Sequence, residues 1–514
     1  MNDDMNANTN ANPTYRMRRD VSTMASDPEN WHPDILWYAY AVGAMMNGYD
    51  EDPRSWRWQA NVHGSGSPNP DAPPVGGGNP EWNQCPHGGW FFLPWHRAYL
   101  YYFEQIVGQV VKKLGGPDNW ALPYWNYTRV ANNDPASKES MEFRRLPAAF
   151  RQPRIPDLIQ HTGGPKQYID NPLYDCIKRS EGASKGYAVA WELVDPTMAM
   201  GAKVFPGVLP KYFGSKDTGT QLPHDEADFG ALESIPHNKI HLFVGGWMGI
   251  FVSPRDPIFW LHHANIDRLW PAWLARGDGR KNPESTDWLD KPLTFRDKDG
   301  NKASKRARDM LTTEQLGYQY DSLEVWTKPT VGVQRRSLQL TAAVPGNPDR
   351  VLCRAETGAV LGPQPQAVPL EAEFSAIDTL STAARSDTPQ RVLLTIGDVR
   401  ADESPGTTYR VLLGANEQDT DLGPDSPYFV GYIDFFGAVG GDIHHHGGTG
   451  LTFRFDVTDQ LAHLREEGRW DGSSVPPVVL APVPLEPSSE DVSLPTVPPA
   501  SSRPRYGSVH LSAT

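Results

Sequence analysis

The sequence predicts two unlike domains, a mainly α helical bundle followed by an all-β sandwich, and three observations carry that expectation. The chain has 514 residues, more than one ordinary core supports. In its first two-thirds apolar residues recur at helical spacing, as in Phe259, His263, Ile266 and Trp270. After Trp326 the period shortens to strand-like runs, RVLLTIGDV, TYRVLLGA, YFVGYIDFF and LTFRFDV, broken by Gly, Pro and Asp.

Taken in order, residues 1–14 are polar and Asn-rich and read as a disordered start, with folding expected from about Tyr15. Residues 20–47 read as one capped amphipathic helix or a pair, with Met45, Met46 and the aromatic positions in the core. A Pro/Gly loop follows from Ser65 to Gly78. The stretch HGGWFFLPWHRAYLYYFE then sets His87 and His96 nine residues apart. A continuous helix would put those positions on opposite faces, so they can share one metal only across a break. Pro94 supplies it: His87 falls on the approach loop and His96 in the first turn of a buried helix ending near Gly115.

Residues 130–232 mix proline, glycine and charge, and read as loops over the bundle. In SIPHNKIH, His237 and His241 stand one helical turn apart, with Ser234 as cap and Pro236 at the helix opening. In DPIFWLHHANIDRLW, Asp256 is the expected N-cap, and the apolar stripe takes His263 inward while His262 points elsewhere. His444, His445 and His446, in a glycine-rich loop, read as solvated rather than as a copper-delivery site. Residues 486–514 are Pro/Ser-rich and read as a disordered tail.

Composition bounds the partners. Hydrophobic residues make up 39% and tryptophans number 17, which supports a large interior. The net charge of −14 argues against nucleic acid or an anionic membrane surface. No run is long and apolar enough to span a bilayer, and the start lacks the apolar core of a signal peptide, so a cytoplasmic location is expected. Three cysteines, Cys85, Cys176 and Cys353, exclude a disulfide framework.

The histidine segments resemble the two copper-binding signatures of the type-3 copper proteins, the family of tyrosinases, catechol oxidases, o-aminophenol oxidases and haemocyanins. The first covers His87, His96, Arg97 and Glu104; the second covers Asp256, Pro257, Phe259, His263 and Asp267. DEDPRSWRWQANVHG resembles the segment that supplies the remaining first-site histidine, here His63. LPYWNYT, LGYQYDSLEVW, YFVGYID and VVLAPVPL resemble further family motifs. The resemblance implies a four-helix-bundle dicopper catalytic domain over 15–330, a lid-like β-sandwich over 331–485 and the tail beyond. Copper A would be held by His63, His87 and His96, and copper B by His237, His241 and His263. Six neutral imidazoles with no thiolate or carboxylate suit copper better than di-iron, and zinc is the minor alternative.

The same resemblance implies a thioether between Cys85 and His87, because Cys-x-His carries that bond in fungal tyrosinases and molluscan haemocyanins. Glu233 matches an acidic residue that holds a water, and Asn238 an asparagine linked to that water. Asp267 is expected to accept a hydrogen bond from a ligand imidazole. Ile250, Phe251 and Val252 fall where the family covers its site. The implied activity is oxidation of ortho-diphenols to quinones by dioxygen, with monophenol hydroxylation and o-aminophenol oxidation open. The implied partners are a phenolic small molecule and dioxygen, and a copper-delivery partner is left open. A haemocyanin-like oxygen carrier is the alternative function.

Overall fold

The computed structural model describes residues 15–513 except positions 25, 28–29, 66–78, 158–166, 175–178, 208–210, 224–227, 330–349, 356, 373, 386–390, 417–418, 420–421, 441–449 and 486–497. The expected disordered start, Cys176, the run His444, His445 and His446, and the first part of the tail lie outside the described residues.

Helix α1 spans Pro33–Met46. Proline opens it, and the Nδ1 of His32 caps it by accepting from the Asp34 amide at 3.2 Å. The segment 20–47 is therefore one helix, preceded by a short turn at Val21–Thr23 that Asp20 caps. Met45 is buried as expected, but Met46 is 42% exposed, because a last-turn position one residue on faces away from the core. Helix α2, Trp56–His63, is capped by Ser55, whose hydroxyl accepts from the Trp58 amide at 3.2 Å.

Helix α3 spans Phe92–Lys113 and places Pro94 in its first turn, with His87 on the loop before it. Its long apolar face packs on α1 and on the last bundle helix, α5, which spans Ile258–Ala275. Asp256 caps α5, its carboxylate accepting from the Ile258 amide at 3.1 Å while pairing with buried Arg179 at 2.6 Å. Between them lies helix α4, Lys239–Val244, entered through a wide turn over Glu233–Asn238. Ile235, the residue before Pro236, is extended at φ −140° and ψ 123°. Ser234 is therefore cut off from the helix, and its hydroxyl is buried without a hydrogen bond instead of capping as expected.

Tyr318–Tyr320 pairs in parallel with Arg16–Arg18, so the end of the helical region closes on its beginning. The C-terminal region is two packed antiparallel sheets. One orders Gln366–Val368, Val478–Pro484, Thr407–Leu413 and Phe429–Ile433; the other orders Glu371–Ala372, Arg350–Arg354, Ser508–Ala513, Val392–Val399 and Leu451–Asp456. The expected sandwich is thus present, but the expected disordered tail is corrected at its end. Ser508–Ala513 is the middle strand of the five, with Val509, Leu511 and Ala513 buried at period two. The Pro/Ser bias of the residues before it masked that alternation. Among the described residues no helix is long and apolar enough to cross a membrane.

Candidate metal centre

His63 ends α2, His87 lies before α3, His96 sits in α3, His237 and His241 flank the start of α4, and His263 sits in α5. All six are buried. Their rings form one cluster: His63 lies 5.6 Å from His87 and 5.8 Å from His96, and His237 lies 4.6 Å from His241 and 4.9 Å from His263, between ring centres. The two groups abut, since His96 stacks on His263 at 4.2 Å and 9°.

Carbonyl oxygens hold the Nδ1 of four of the six rings. The Nδ1 of His63 bonds Phe251 O at 2.8 Å, that of His96 bonds Phe92 O at 2.8 Å, and that of His241 bonds Met248 O at 2.7 Å. The Nδ1 of His237 bonds the side-chain oxygen of Asn238 at 2.8 Å. Each such carbonyl accepts the Nδ1 proton and leaves Nε2 as the lone pair. Burial, reinforced by the neighbouring imidazoles, holds His96, His237, His241 and His263 well below the ordinary histidine range, so all four are neutral.

The lone pairs fit a metal. The Nε2 of His237 is buried without a hydrogen-bond partner, a costly state that an ion would relieve. The Nε2 atoms of His241 and His263 are 3.3 Å apart, which suits two nitrogens about 2.0–2.1 Å from one ion. The ligand atoms of His237, His241, His262 and His263 fall within 4.8 Å of one another, as do those of His63, Cys85 and His96.

Those two groupings depart from expectation in two ways. His262 does not point elsewhere: its ring stacks on His237 at 5.3 Å, and its Nδ1 bonds the Tyr127 hydroxyl at 2.9 Å. Helical geometry put it off the stripe, but the LPYWNYT turn packs it inward. His87 stands outside the tighter first group, and Cys85 takes its place, 3.4 Å from the Nε2 of His96. The Cys85 sulfur is 3.8 Å from the Nδ1 and 3.7 Å from the Nε2 of His87, nearly equidistant. Burial pushes its thiol well above the ordinary value.

Asp267 also departs from expectation. It takes no imidazole; it accepts from Arg97 at 2.6 Å and from the hydroxyls of Tyr318 and Tyr320, each at 2.6 Å, with Arg18 at 3.4 Å. Burial favours its neutral form, yet Arg97 and Arg18 outweigh that and hold its carboxyl below the usual range. Two buried guanidiniums claim the carboxylate before a histidine can.

Glu233 is buried and ties the second histidine segment to the residue after His87. Its carboxylate accepts from the Gly88 amide at 3.0 Å and from the Ser215 hydroxyl, and burial raises its pKa to about 8. Of the three residues expected over the site, Phe251 is there, 5.5 Å from His87. A Cβ on Gly64 would lie 2.3 Å from Phe251 O, so glycine after His63 permits the carbonyl contact that orients that ring.

Sequence reasoning missed three contributors. Phe436, from the β-sandwich, places its ring 4.3 Å from His241, 5.7 Å from His87 and 5.9 Å from His237. Lys239 and Asp434 form an ion pair of 2.8 Å across the domains, both fully buried, and Asp434 also reaches the Asn238 amide at 3.3 Å. No periodicity marks a plug residue, although a lysine between two candidate ligands was a visible oddity.

Residues 53–276 match the common central domain of tyrosinase, residues 282–330 the polyphenol oxidase middle domain, and residues 362–497 a domain of unknown function. A tyrosinase of Hahella sp. is 32% identical over 462 residues, 86% of this chain and 91% of that protein. The chloroplastic polyphenol oxidase of Malus domestica is 28% identical over 454 residues, covering 84% and 70% of the two chains. The fold of latent apple tyrosinase superposes with a TM-score of 0.58 at 22% identity, over 98% of this chain and 97% of that one. The expected cytoplasmic location is corrected here. The matched polyphenol oxidases of Malus domestica, Prunus armeniaca, Vicia faba and Spinacia oleracea are chloroplastic, and a missing apolar signal core does not exclude a polar leader of another kind.

Proposed function

Because the chain belongs to the tyrosinase and polyphenol oxidase family of type-3 copper enzymes, we propose that its two histidine groups seat the copper pair. The protein is a polyphenol oxidase, and its activity is copper-dependent oxidation of phenols with dioxygen. His63, His87 and His96 take one copper; His237, His241 and His263 take the other. The observation that carries this assignment is the convergence of buried neutral imidazoles whose Nδ1 protons are spent on carbonyls. Copper bound there supplies the one-electron couples that carry electrons from a phenol to dioxygen.

The chain's own residues set what reaches that pair and where protons go. Cys85 lies close enough to His87 for a thioether, which would pin that ring's orientation. Glu233 and Asn238 flank the copper B segment, and a carboxylate there can hold a water that accepts a phenol's proton. Ortho-diphenols are the substrate class, and monophenols join it if that water acts as base. The catalytic unit runs over 15–330, and the domain beyond serves as a lid: Phe436 stands on the histidines where an aromatic substrate would lie. Oxygen uptake measured side by side with a monophenol, its catechol and its aminophenol tests the reading. Catechol turnover is expected; uptake with the aminophenol alone would reassign the substrate class.

A further inference from the structure

Ser215 lies in the long middle segment that sequence reading treated as covering loops, and nothing about its surroundings suggests surface. It is 1% exposed, as is Glu233. Its hydroxyl oxygen accepts from the Gly230 amide at 2.9 Å, and an amide N–H can only donate. The single hydroxyl proton is therefore free for the Glu233 carboxylate, which it meets at Oε2. The other carboxylate oxygen accepts from the Gly88 amide at 3.0 Å, one residue after His87.

The arrangement is built rather than incidental. The strand-like run through Ser215 is clamped on both sides: the Gly214 amide donates to Phe205 O at 2.8 Å, and the Trp90 amide donates to Lys216 O at 2.8 Å. The contact with Gly230 is so close that a Cβ there would lie 1.8 Å from Gly214 O, so only glycine admits it. The hydroxyl thus has one address, fixed by backbone on three segments.

We propose that Ser215 is the positioning residue for the Glu233 carboxyl, holding it against the Gly88 amide beside His87 so that its remaining lone pairs serve the water that takes a phenol's proton. The proposal rests on the reading of Glu233 given above. A carboxylate offers about four acceptor sites, and two fixed donors leave the others aimed in one direction. Both donors favour the ionised form over the neutral one that burial alone would impose. Ser215 would then matter for the step that needs a base, hydroxylation of a monophenol, and little for oxidation of a catechol.

The test compares Ser215→Ala, Ser215→Thr and Glu233→Gln in the full copper-loaded chain, with the kcat ratio of monophenol to catechol as one readout. The second readout is the infrared carboxyl stretch that Glu233→Gln abolishes, measured in the metal-free protein. Ser215→Ala is expected to lower the ratio about tenfold and shift that band, with Ser215→Thr restoring both. Should the alanine variant not fold, Ser215→Cys, of similar size but a weak donor, is expected to behave as alanine does. An unmoved band, or an unmoved ratio where Glu233→Gln lowers it, overturns the Ser215 proposal. A ratio that Glu233→Gln leaves intact overturns the reading of Glu233 instead.

Discussion

At the scale of single residues, the site works by assigning protons. Four of the six candidate ligands give Nδ1–H to an oxygen, and the ion inherits the opposite nitrogen. Glu233 shows the cost of the same burial. Its ordinary value is 4.5 and its buried value about 8, so between those pH values the folded chain holds a proton that the unfolded chain has released. Unfolding free energy therefore falls as pH rises through that window and levels off above it. In the metal-free protein, Glu233→Gln should flatten the fall, by a few kcal/mol at most, in urea titrations at several pH values. Cys85 gives a second check. If the thioether forms, the copper-loaded Cys85–His87 peptide will be lighter by two hydrogens and refuse alkylation; an alkylated Cys85 would contradict it. His87 and His96, and His237 and His241, stood out in sequence because their spacing is local, whereas His63 and the Cys85–His87 pairing came from the family resemblance. Ser215, His262 and the true partners of Asp267 were not, because their contacts join segments far apart in the chain.

At the scale of elements, helix α5 is held in place by charge as well as by packing. Asp267 on α5 meets Arg97 on α3, Arg18 on the first strand, and the hydroxyls of Tyr318 and Tyr320 on its partner. The Tyr320 hydroxyl also lies 2.7 Å from Ala264 O, one residue from His263, so that carbonyl and Asp267 compete for its single proton. Replacing Asp267 with Asn leaves buried Arg97 without its carboxylate, while Arg18 keeps Glu104, a loss of about 3–5 kcal/mol. Thermal unfolding of the variant should show it, together with a weakened second copper. Helix starts and apolar stripes were readable from proline, capping residues and period for α1, α3 and α5. The misreadings share one cause. Ser234, Met46 and the final strand were judged by type or by neighbouring composition, while the extended Ile235, the helix face and the sheet decided them.

At the scale of the whole molecule, two domains share one buried contact at the catalytic centre. Phe436 enters among the histidine rings, and two residues earlier in sequence Asp434 neutralises Lys239. Removing Asp434 leaves an unpaired cation in the seam, which favours undocking and hydration of Lys239. Both Phe436→Ala and Asp434→Ala are therefore expected to raise the activity of the untrimmed chain toward that of a chain relieved of its β-sandwich. Catechol-driven oxygen uptake before and after limited proteolysis measures this, and an unchanged ratio would deny the lid. The β-sandwich itself was visible in the strand-like runs, but which of its residues reaches the histidines depends on how two finished domains dock, and no local pattern encodes that. The most direct measurement for the molecule as a whole is an anomalous-diffraction map of the copper-loaded protein at the copper edge. Two peaks are expected, one bounded by His63, His87 and His96 and the other by His237, His241 and His263. A single peak, or a second copper bound through His262 in place of His263, would contradict the assignment.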